Sequence, residues 1–291
     1  MIGVDIGGSH ITSLHIEDIS RGKYSKHLNS DSITIIDRTK NQILDDWAEH
    51  LNNCIKECDH FDGHIAMAFP GPFDYELGIV HSHPNGKFQP LEDINIGAEL
   101  KRKIEVCENI HFENDAACFG FGEYHFGEVN DETRVIAITI GSGIGSTFID
   151  NGKAIKNRSD VPEGGEVYYL PFFDKCADDY FSTRWFVSSA ADKNIEIVGV
   201  KELLQIEERD IIESIFATFS QNFVEFFSPL ALKFKAQAIV VGGNISKSWD
   251  YFGPHLTEEF QKLDIAIKKS TLGEKAICLG AARSMYQKYY L

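Results

Sequence analysis

The sequence lacks the features that mark membrane, secreted or nucleic-acid-binding proteins. Its 291 residues contain no apolar run near the ~18 residues that span a bilayer, so no membrane partner is expected. The first residues already read as a strand, and we therefore expect no signal peptide. Basic residues are few, with 28 Lys and Arg against 44 Asp and Glu, which gives a net charge of −16. A surface of that sign makes nucleic acid a poor partner.

Cysteine is sparse and scattered, and no linker or low-complexity run divides the chain. The absence of any C-x-x-C pair indicates neither a disulfide framework nor a zinc knuckle, and it favours a reducing, cytoplasmic setting. With 43% hydrophobic residues the chain can build one large or two medium domains. The six cysteines are Cys54, Cys58, Cys107, Cys118, Cys176 and Cys278.

Glycine, in contrast, is clustered at the ends of predicted strands. Residues 2–6 and 11–16 predict two strands joined by the turn Asp5-Ile6-Gly7-Gly8-Ser9-His10. Glycine lets a ligand approach the backbone closely, and the N–H groups of such a turn can cradle a phosphate. Asp5, at the strand end, could hold a hydrated magnesium ion. Taken alone, however, the turn is more typical of an ordinary glycine hairpin.

The same arrangement occurs a second time. Arg134 to Ile140 predicts a strand, and the turn Gly141-Ser142-Gly143-Ile144-Gly145-Ser146 follows it before another strand at 147–149. Two such hairpins could hold the phosphates of one nucleotide from both sides. A third glycine pair, Gly242-Gly243, follows a strand predicted at 237–241 and could pass close to an adenine or ribose. We expect Ser246 to cap the helix that comes next.

Between the two hairpins, a strand is predicted to turn into a helix at Asn114-Asp115. A carboxylate in this position accepts the N–H groups of the first helical turn and lies at the positive end of the helix dipole. Beside the amide of Asn114, the Asp115 carboxylate could accept a proton from a hydroxyl group. The alternative is that Asp115 only caps the helix.

The remaining segments with a regular spacing of apolar residues predict helices that support the fold rather than bind a ligand. Helices are expected at 37–58, 178–191, 208–235 and 277–289, with Pro229 kinking or dividing the third. A long loop follows Pro70-Gly71-Pro72 and runs to about Pro90; Asn85 within it could contact a ligand, although a turn role is more usual. A set of phenylalanines at helical spacing predicts core: Phe216, Phe219, Phe223, Phe226 and Phe227.

Taken in order, these motifs resemble the sugar kinases of the ROK family, within the actin-like ATPase superfamily. The resemblance covers essentially the whole chain, and the ordered set is far more specific than any one motif. The matching segments are DIGGSHI at 5–11, PGP at 70–72, ENDAA at 113–117, TIGSGIGS at 139–146, VVGGNIS at 240–246 and GAA at 280–282.

The resemblance implies an α/β fold of two actin-like (ribonuclease H-like) lobes. Each lobe would hold a mixed β-sheet with helices, and the active-site cleft would lie between them. The N-terminal lobe would comprise residues 1–117 and 275–291, and the C-terminal lobe residues 118–274.

The activity implied is ATP-dependent phosphorylation of a hexose hydroxyl, as in a glucokinase, with Asp115 as the general base. The alternatives are a kinase of N-acetylmannosamine, N-acetylglucosamine or fructose, and a catalytically weak homologue that senses sugar. ATP and Mg²⁺ are the expected cofactors, and a homodimer is expected. The implied sugar-binding residues are Gly71, Asn114, Asp115, Glu166, Tyr169 and Asp178. The implied nucleotide-binding residues are Asp5, Gly7, Gly8, Ser9, His10, Gly141, Ser142, Gly143, Gly242 and Gly243.

Three positions depart from the family pattern. Tyr169 stands where the G-E-x-G-H segment of the family has a histidine that joins a zinc-binding cysteine cluster. Only Cys176 remains of that cluster, so no structural zinc is expected, because a tetrahedral site needs about four ligands. Asp178 stands in place of a second sugar-binding glutamate, and His10 replaces a residue that is commonly lysine or asparagine. These departures leave the identity of the sugar open.

Overall fold

The computed structural model describes residues 1–81 and 88–291, which form two compact units. Unit 1 comprises Met1–Phe126 with Glu274–Leu291, and unit 2 comprises Gly127–Gly273. The lobe boundary expected after Ala117 falls inside a helix that unit 1 contains whole. Asn85 lies outside the described residues. Within the described ranges, no helix has the length and apolar character needed to cross a bilayer.

Strands and helices are interspersed along both units. Residues 1–126 contain β1 (Ile2–Ile6), β2 (Ile11–Asp18), β3 (Lys23–Tyr24), β4 (Asn29–Asp31), α1 (Lys40–Lys56), β5 (His64–Phe69), β6 (Phe73–Asp74), β7 (Ile79–Val80), α2 (Ile96–Lys103), β8 (Asn109–Asn114) and α3 (Asp115–Phe126). Residues 127–291 contain β9 (Arg134–Ile140), β10 (Ile144–Asp150), β11 (Lys153–Ala154), β12 (Pro171–Phe172), β13 (Lys175–Cys176), α4 (Ala177–Tyr180), α5 (Thr183–Ala191), α6 (Val200–Leu203), α7 (Arg209–Phe234), β14 (Ala238–Gly242), α8 (Trp249–Gln261), β15 (Ala266–Lys269) and α9 (Lys275–Tyr290).

The main sheets of the two units repeat one topology. In unit 1 the strand order is β3-β2-β1-β5-β8, with β4 also paired with β2; in unit 2 it is β11-β10-β9-β14-β15. Each sheet begins with an antiparallel hairpin, β1–β2 or β9–β10. Two parallel strands then extend it on the side of the first hairpin strand. The expectation of two lobes, each with a mixed β-sheet and helices, is confirmed, and each sheet contains one of the two glycine hairpins.

Unit 1 is closed by helix α9, which passes against both β1 and α3 at glycine positions. A Cβ on Gly3 would overlap the carbonyl oxygen of Cys278, and one on Gly280 would overlap that of Cys118. Gly122 on α3 meets the carbonyl of Ala276 in the same way. Gly280 and Gly122 therefore allow the backbones of α9 and α3 to come into direct contact.

Unit 2 is organised around the phenylalanines of α7. The five that were expected in the core are all buried, and Phe181, Phe186 and Phe252 pack with them. The long helix is one continuous element through Pro229, so the proline does not divide it. The helix expected at 178–191 is wrong as a single element. It is interrupted at Phe181 and Ser182, where the backbone is non-helical.

Candidate active site

Three loops of unit 1 leave its sheet at the same edge. Parallel pairing sets Asp5 beside Ala68 on the neighbouring strand, and Ala68 beside Glu113 on the next. The first glycine turn, the Pro70-Gly71-Pro72 segment and the Asn114-Asp115 turn therefore follow adjacent strand ends. The carboxyl end of parallel strands is the usual position of a binding site in α/β sheets. The sequence candidates of unit 1 are thus brought to one edge.

Asn114, rather than Asp115, caps helix α3. The Asn114 side-chain oxygen accepts the N–H of Ala117, three residues ahead, at 3.0 Å. Asp115 is the first helical residue, and its Oδ1 accepts the N–H of Ala116 at 2.9 Å. Since the amide fills the cap position, the reading of Asp115 as only an N-cap is not what the structure shows. The carboxylate is half-buried at the positive end of the helix dipole.

Tyr75 is a residue of this turn that the sequence motifs did not reveal. Its hydroxyl donates to the carbonyl of Phe69 at 3.1 Å and accepts from Asn114 Nδ2 at 3.2 Å. A Cβ on Gly71 would lie 3.5 Å from the same hydroxyl. Tyr75 thus ties the Gly71 loop to the Asn114-Asp115 turn. The only sequence signal for it was its place shortly after Pro70-Gly71-Pro72.

In the first glycine turn, the His10 ring lies over Gly7. The turn is closed by the Gly7 N–H and the His10 carbonyl at 2.9 Å, and a Cβ on Gly7 would overlap the imidazole. His10 Nε2 lies 3.5 Å from Asp5 Oδ2. In the part of the chain that the structure describes, the N–H groups of Gly8 and Ser9 have no protein acceptor. They form the kind of turn that can receive an anion.

Three carboxylates lie near the first turn of helix α3, which begins at this edge of the sheet. Burial raises the pKa of the Cys118 thiol well above its usual value, and the charges of Glu113, Asp115 and Asp5 raise it further. Three carboxylates near one buried thiol make a strongly negative region. A hydrated divalent cation fits such a region, and Asp5, whose side chain is 13% exposed, is the carboxylate at the glycine turn.

A chain of polar side chains, His111, Ser284 and the half-buried Glu113, supports the Asn114 backbone. Ser284 Oγ donates to Glu113 Oε2 at 3.2 Å and lies 3.0 Å from His111 Nε2, so the imidazole donates to the serine. Glu113 Oε1 in turn accepts the Asn114 N–H at 3.0 Å. His111 is 5% exposed, and burial lowers its pKa to about 4. It also lines a cavity of about 280 Å³ together with Tyr75, Lys101, Lys288 and others.

The second glycine turn, in unit 2, is held by the start of α5. The Gly141 N–H donates to Gly143 O at 2.9 Å, and Gly141 O accepts from both the backbone N–H and the hydroxyl of Thr183. The N–H groups of Ser142 and Gly143 have no protein acceptor within residues 1–81 and 88–291. This turn therefore presents the same free donors as the first.

The structure places Asp178 against this turn. Its Oδ1 accepts the N–H of Ile144 at 2.9 Å, and a Cβ on Gly143 would lie 2.5 Å from that oxygen. Its Oδ2 pairs with Arg184 at 2.5 Å, and Arg184 also donates to the carbonyl of Ser142 at 3.1 Å. Both oxygens of Asp178 thus have partners within unit 2. The sugar contact that the resemblance assigned to Asp178 stays a prediction.

The Gly242-Gly243 turn lies beside the second hairpin. Gly242 pairs with Thr139 in the parallel ladder, and a Cβ on Gly243 would overlap the backbone of Ile140. Gly243 also has φ 83°, a conformation that favours glycine. The sequence predicted that Ser246 caps the next helix, but it does not cap helix α8, whose N-cap is Ser248. The Ser246 hydroxyl donates to Gly243 O at 2.7 Å inside a short 3₁₀ helix.

Glu166 and Tyr169 occupy a loop that is tied to β10. The buried Ser146 hydroxyl donates to Gly165 O at 2.8 Å, which fixes the residue before Glu166. Glu166 is half-buried, whereas Tyr169 is exposed and its hydroxyl donates to Glu163 O at 3.3 Å. Cys176 Sγ donates to Asp179 at 3.1 Å. Among the described residues, no three His, Cys, Asp or Glu side chains are grouped as metal ligands.

A serine, a histidine and an aspartate also meet elsewhere in unit 1. His50 Nε2 lies 2.9 Å from Ser13 Oγ, and His50 Nδ1 lies 2.6 Å from Asp31 Oδ2. The order resembles that of a hydrolase triad. Ser13 is fully buried, however, and a substrate cannot reach its hydroxyl. We interpret these contacts as a polar tie between β2, β4 and α1.

Comparison with known proteins gives a match over nearly the whole chain. A family model described as the ROK family matches residues 1–288. A glucokinase of Thermotoga maritima is 29% identical over 179 residues, which are 60% of this chain and about half (53%) of that protein. An N-acetyl-D-glucosamine kinase of Mannheimia succiniciproducens is 23% identical over 97% of this chain and 98% of its own length.

A solved structure agrees with the fold described above. The ROK family glucokinase of Streptomyces griseus, in complex with glucose and AMPPNP, has a TM-score of 0.75 to this chain. The two chains are 21% identical, and the match covers 98% of each. The expected actin-like α/β fold is confirmed by this likeness.

Proposed function

The chain belongs to the ROK family, and on that premise we propose that it is an ATP-dependent kinase that phosphorylates a hexose hydroxyl. Relatives named glucokinase and N-acetyl-D-glucosamine kinase support the reaction class. The observation that carries the proposal for this chain is the division of roles at the Asn114-Asp115 turn. The Asn114 side chain caps helix α3 and forms a hydrogen bond with Tyr75, whereas Asp115 is the first residue of the same helix.

Asp115 is the proposed general base. A hydroxyl attacks a phosphorus atom faster when a carboxylate within hydrogen-bond distance accepts its proton. The hydrogen bonds of Ser284 and Glu113 restrict the Asn114 backbone, and the Tyr75 hydroxyl restricts its side chain. Together they restrict the next residue, Asp115. Restricting the base in this way lowers the entropic cost of reaching the reactive geometry. Asn114 and Gly71 are the proposed contacts for other sugar hydroxyls.

The remaining proposed roles follow the chemistry of the turns. The free N–H groups of Gly8, Ser9, Ser142 and Gly143 suit phosphate oxygens, because oriented backbone donors stabilise the charge of a transferring phosphoryl group. Gly7 and His10 shape the first turn. Gly141, Gly242 and Gly243 keep side chains away from the nucleotide, and Glu166 and Tyr169 are proposed to contact the sugar.

Magnesium is proposed to bind through Asp5. When bound, the ion would neutralise charge on the phosphate oxygens, as it does in phosphoryl transfer generally. The half-buried position of Asp5 at the strand end suits an ion that keeps most of its water ligands. His10, 3.5 Å from the same carboxylate, would restrict its orientation.

The base assignment is tested with Asp115→Asn, which keeps the shape and removes the basic oxygen. Turnover in a coupled ADP-release assay is expected to fall by ~10²–10⁴-fold. The thermal melting temperature and the affinity for AMPPNP should stay close to those of the unchanged protein. Asp59→Asn, an exposed carboxylate of the same unit, is the matched control and should not change the rate. A variant Asp115→Asn with normal turnover would contradict the proposal.

The sugar has two leading candidates. Glucose is the first, and N-acetylglucosamine is the second because a kinase named for that sugar matches this chain over nearly its full length. ADP release should be compared with glucose, N-acetylglucosamine, N-acetylmannosamine, mannose and fructose. The ratio of kcat/KM values decides between them.

The same panel separates a kinase from a sugar-sensing homologue. A sensor would bind a sugar in calorimetry without releasing ADP, whereas a kinase releases ADP with the sugar that it binds. The homodimer that the resemblance implies stays a proposal, and light scattering at micromolar concentration measures it.

A further inference from the structure

The second glycine turn is contacted by an arginine, Arg184, to which the proposed function assigns no role. Arg184 is the second residue of helix α5, and its side chain is 59% exposed. It is anchored at two points, to Asp178 Oδ2 at 2.5 Å and to Ser142 O at 3.1 Å. Its guanidinium therefore lies along the turn whose Ser142 and Gly143 N–H groups have no acceptor in the described part of the chain.

We infer that Arg184 binds a phosphate group of the nucleotide, and that Asp178 is the residue that positions it. This inference rests on the proposed kinase function and adds a side-chain cation to a site otherwise built from backbone N–H groups. A guanidinium has five N–H donors, of which the two contacts use one each. Three donors remain, and none has a partner within residues 1–81 and 88–291.

The net negative charge of the chain gives a cation at this turn a specific use. The protein carries a net charge of −16, so an anionic nucleotide meets an unfavourable field over most of the surface. An arginine fixed beside free backbone donors gives this turn a local positive charge. Arginine also matches phosphate oxygens with paired N–H groups, which lysine cannot do.

Asp178 explains how a long, exposed side chain is kept in place. Its Oδ1 is fixed by the Ile144 N–H, and Gly143 leaves space for the carboxylate because it has no Cβ. Holding Arg184 in one arrangement reduces the side-chain entropy that phosphate binding would otherwise cost. In this interpretation, Asp178 acts on the nucleotide through Arg184.

The test measures nucleotide affinity directly, without sugar. Binding of AMPPNP with Mg²⁺ is followed by calorimetry for the unchanged protein and for Arg184→Gln, which keeps a donor for Ser142 O and loses the charge. We expect the dissociation constant to rise by ~10–100-fold, as for loss of a charge-assisted hydrogen bond. Arg184→Lys should recover part of the loss, and Arg209→Gln, an exposed arginine of the same unit, should bind normally.

Asp178→Asn separates the two roles open to the aspartate. As a positioning residue, its loss raises the KM for ATP several-fold and leaves the KM for the sugar unchanged. A rise in the sugar KM alone would show a sugar ligand and would overturn the part of the inference that concerns Asp178.

The outcomes distinguish the inference from the proposed function. Normal AMPPNP binding by Arg184→Gln overturns the inference alone. Weakened binding without phosphorylation of any sugar supports the inference and refutes the kinase. Absence of AMPPNP binding by the unchanged protein refutes both.

Discussion

The two units share a sheet topology, but the packing inside each unit is of a different kind. In unit 1, helix α9 touches β1 and α3 backbone to backbone at Gly3, Gly122 and Gly280. In unit 2, phenylalanines of α7 and its neighbours fill the space between helices and sheet. Backbone contacts cannot adjust by changing a rotamer, whereas side-chain packing can. An added side-chain atom is therefore harder to accommodate at the glycines of unit 1 than a change of side-chain size is among the phenylalanines of unit 2.

The two hairpins show the same contrast in charge. A side chain lies over a glycine in each turn, His10 over Gly7 and Asp178 over Gly143. Beside the first turn is Asp5, a carboxylate suited to a cation. Beside the second is Arg184, a cation suited to an anion. The same type of glycine turn therefore has a negatively charged side chain beside it in unit 1 and a positively charged one in unit 2.

The largest loss of stability is expected from adding a methyl group where helices α3 and α9 of unit 1 are in backbone contact. In Gly280→Ala the new methyl group overlaps the Cys118 carbonyl, so α3 and α9 must move apart. We expect a loss of about 3 kcal/mol or more in the free energy of unfolding of unit 1, at the upper end for overpacking. Hydrogen exchange resolved by mass spectrometry should show faster exchange in α3 and α9.

Phe219→Leu gives the comparison in unit 2. Neighbouring phenylalanines can repack around the smaller side chain, and we expect a loss of about 1–2 kcal/mol. If Gly280→Ala destabilised its unit less than Phe219→Leu does, the contrast between backbone and side-chain packing would be wrong.

The features that the sequence predicted are local, and most of those that it missed depend on residues far apart in the chain. Glycine turns after strands, and the strand-to-helix change at Asn114, depend on residues next to one another. The break at Phe181 and Ser182 depends on Thr183 turning its N–H to Gly141 O, 42 residues earlier. Tyr75 likewise acquires its place through the side chain of Asn114, 39 residues later, and Arg184 through the carbonyl of Ser142, 42 residues earlier. No periodicity or spacing encodes such contacts.

An effect that is confined to acid pH is expected from His111 in unit 1. Burial lowers its pKa from 6.5 to about 4, although Glu113 opposes the shift. Between these values the unfolded chain binds a proton that the folded protein does not, so stability present above pH 6.5 is lost as the pH falls towards 4. The shift sets the loss at about 3 kcal/mol at most.

His111→Gln removes the titrating group and keeps a donor for Ser284. Urea unfolding at a series of pH values should show a shallower acid loss for this variant than for the unchanged protein. His27→Gln, an exposed histidine of the same unit, is the control and should follow the unchanged protein. Parallel curves for His111→Gln and the unchanged protein would show that His111 contributes nothing to acid sensitivity.

The smallest effect on stability, and the sharpest comparison of the turns, is expected from Gly141→Ala. A Cβ at this position meets no atom within 4 Å in the described residues, and its φ lies outside the left-handed region. The free energy of unfolding should therefore change by no more than about 0.5 kcal/mol. A nucleotide phosphate at the turn would meet the methyl group, so the KM for ATP should rise ~10-fold or more. Gly143→Ala, which displaces Asp178, should lower both stability and ATP affinity. A normal KM for ATP in Gly141→Ala would mean that no ligand approaches this turn closely, and the likeness between the two hairpins would then be one of fold alone.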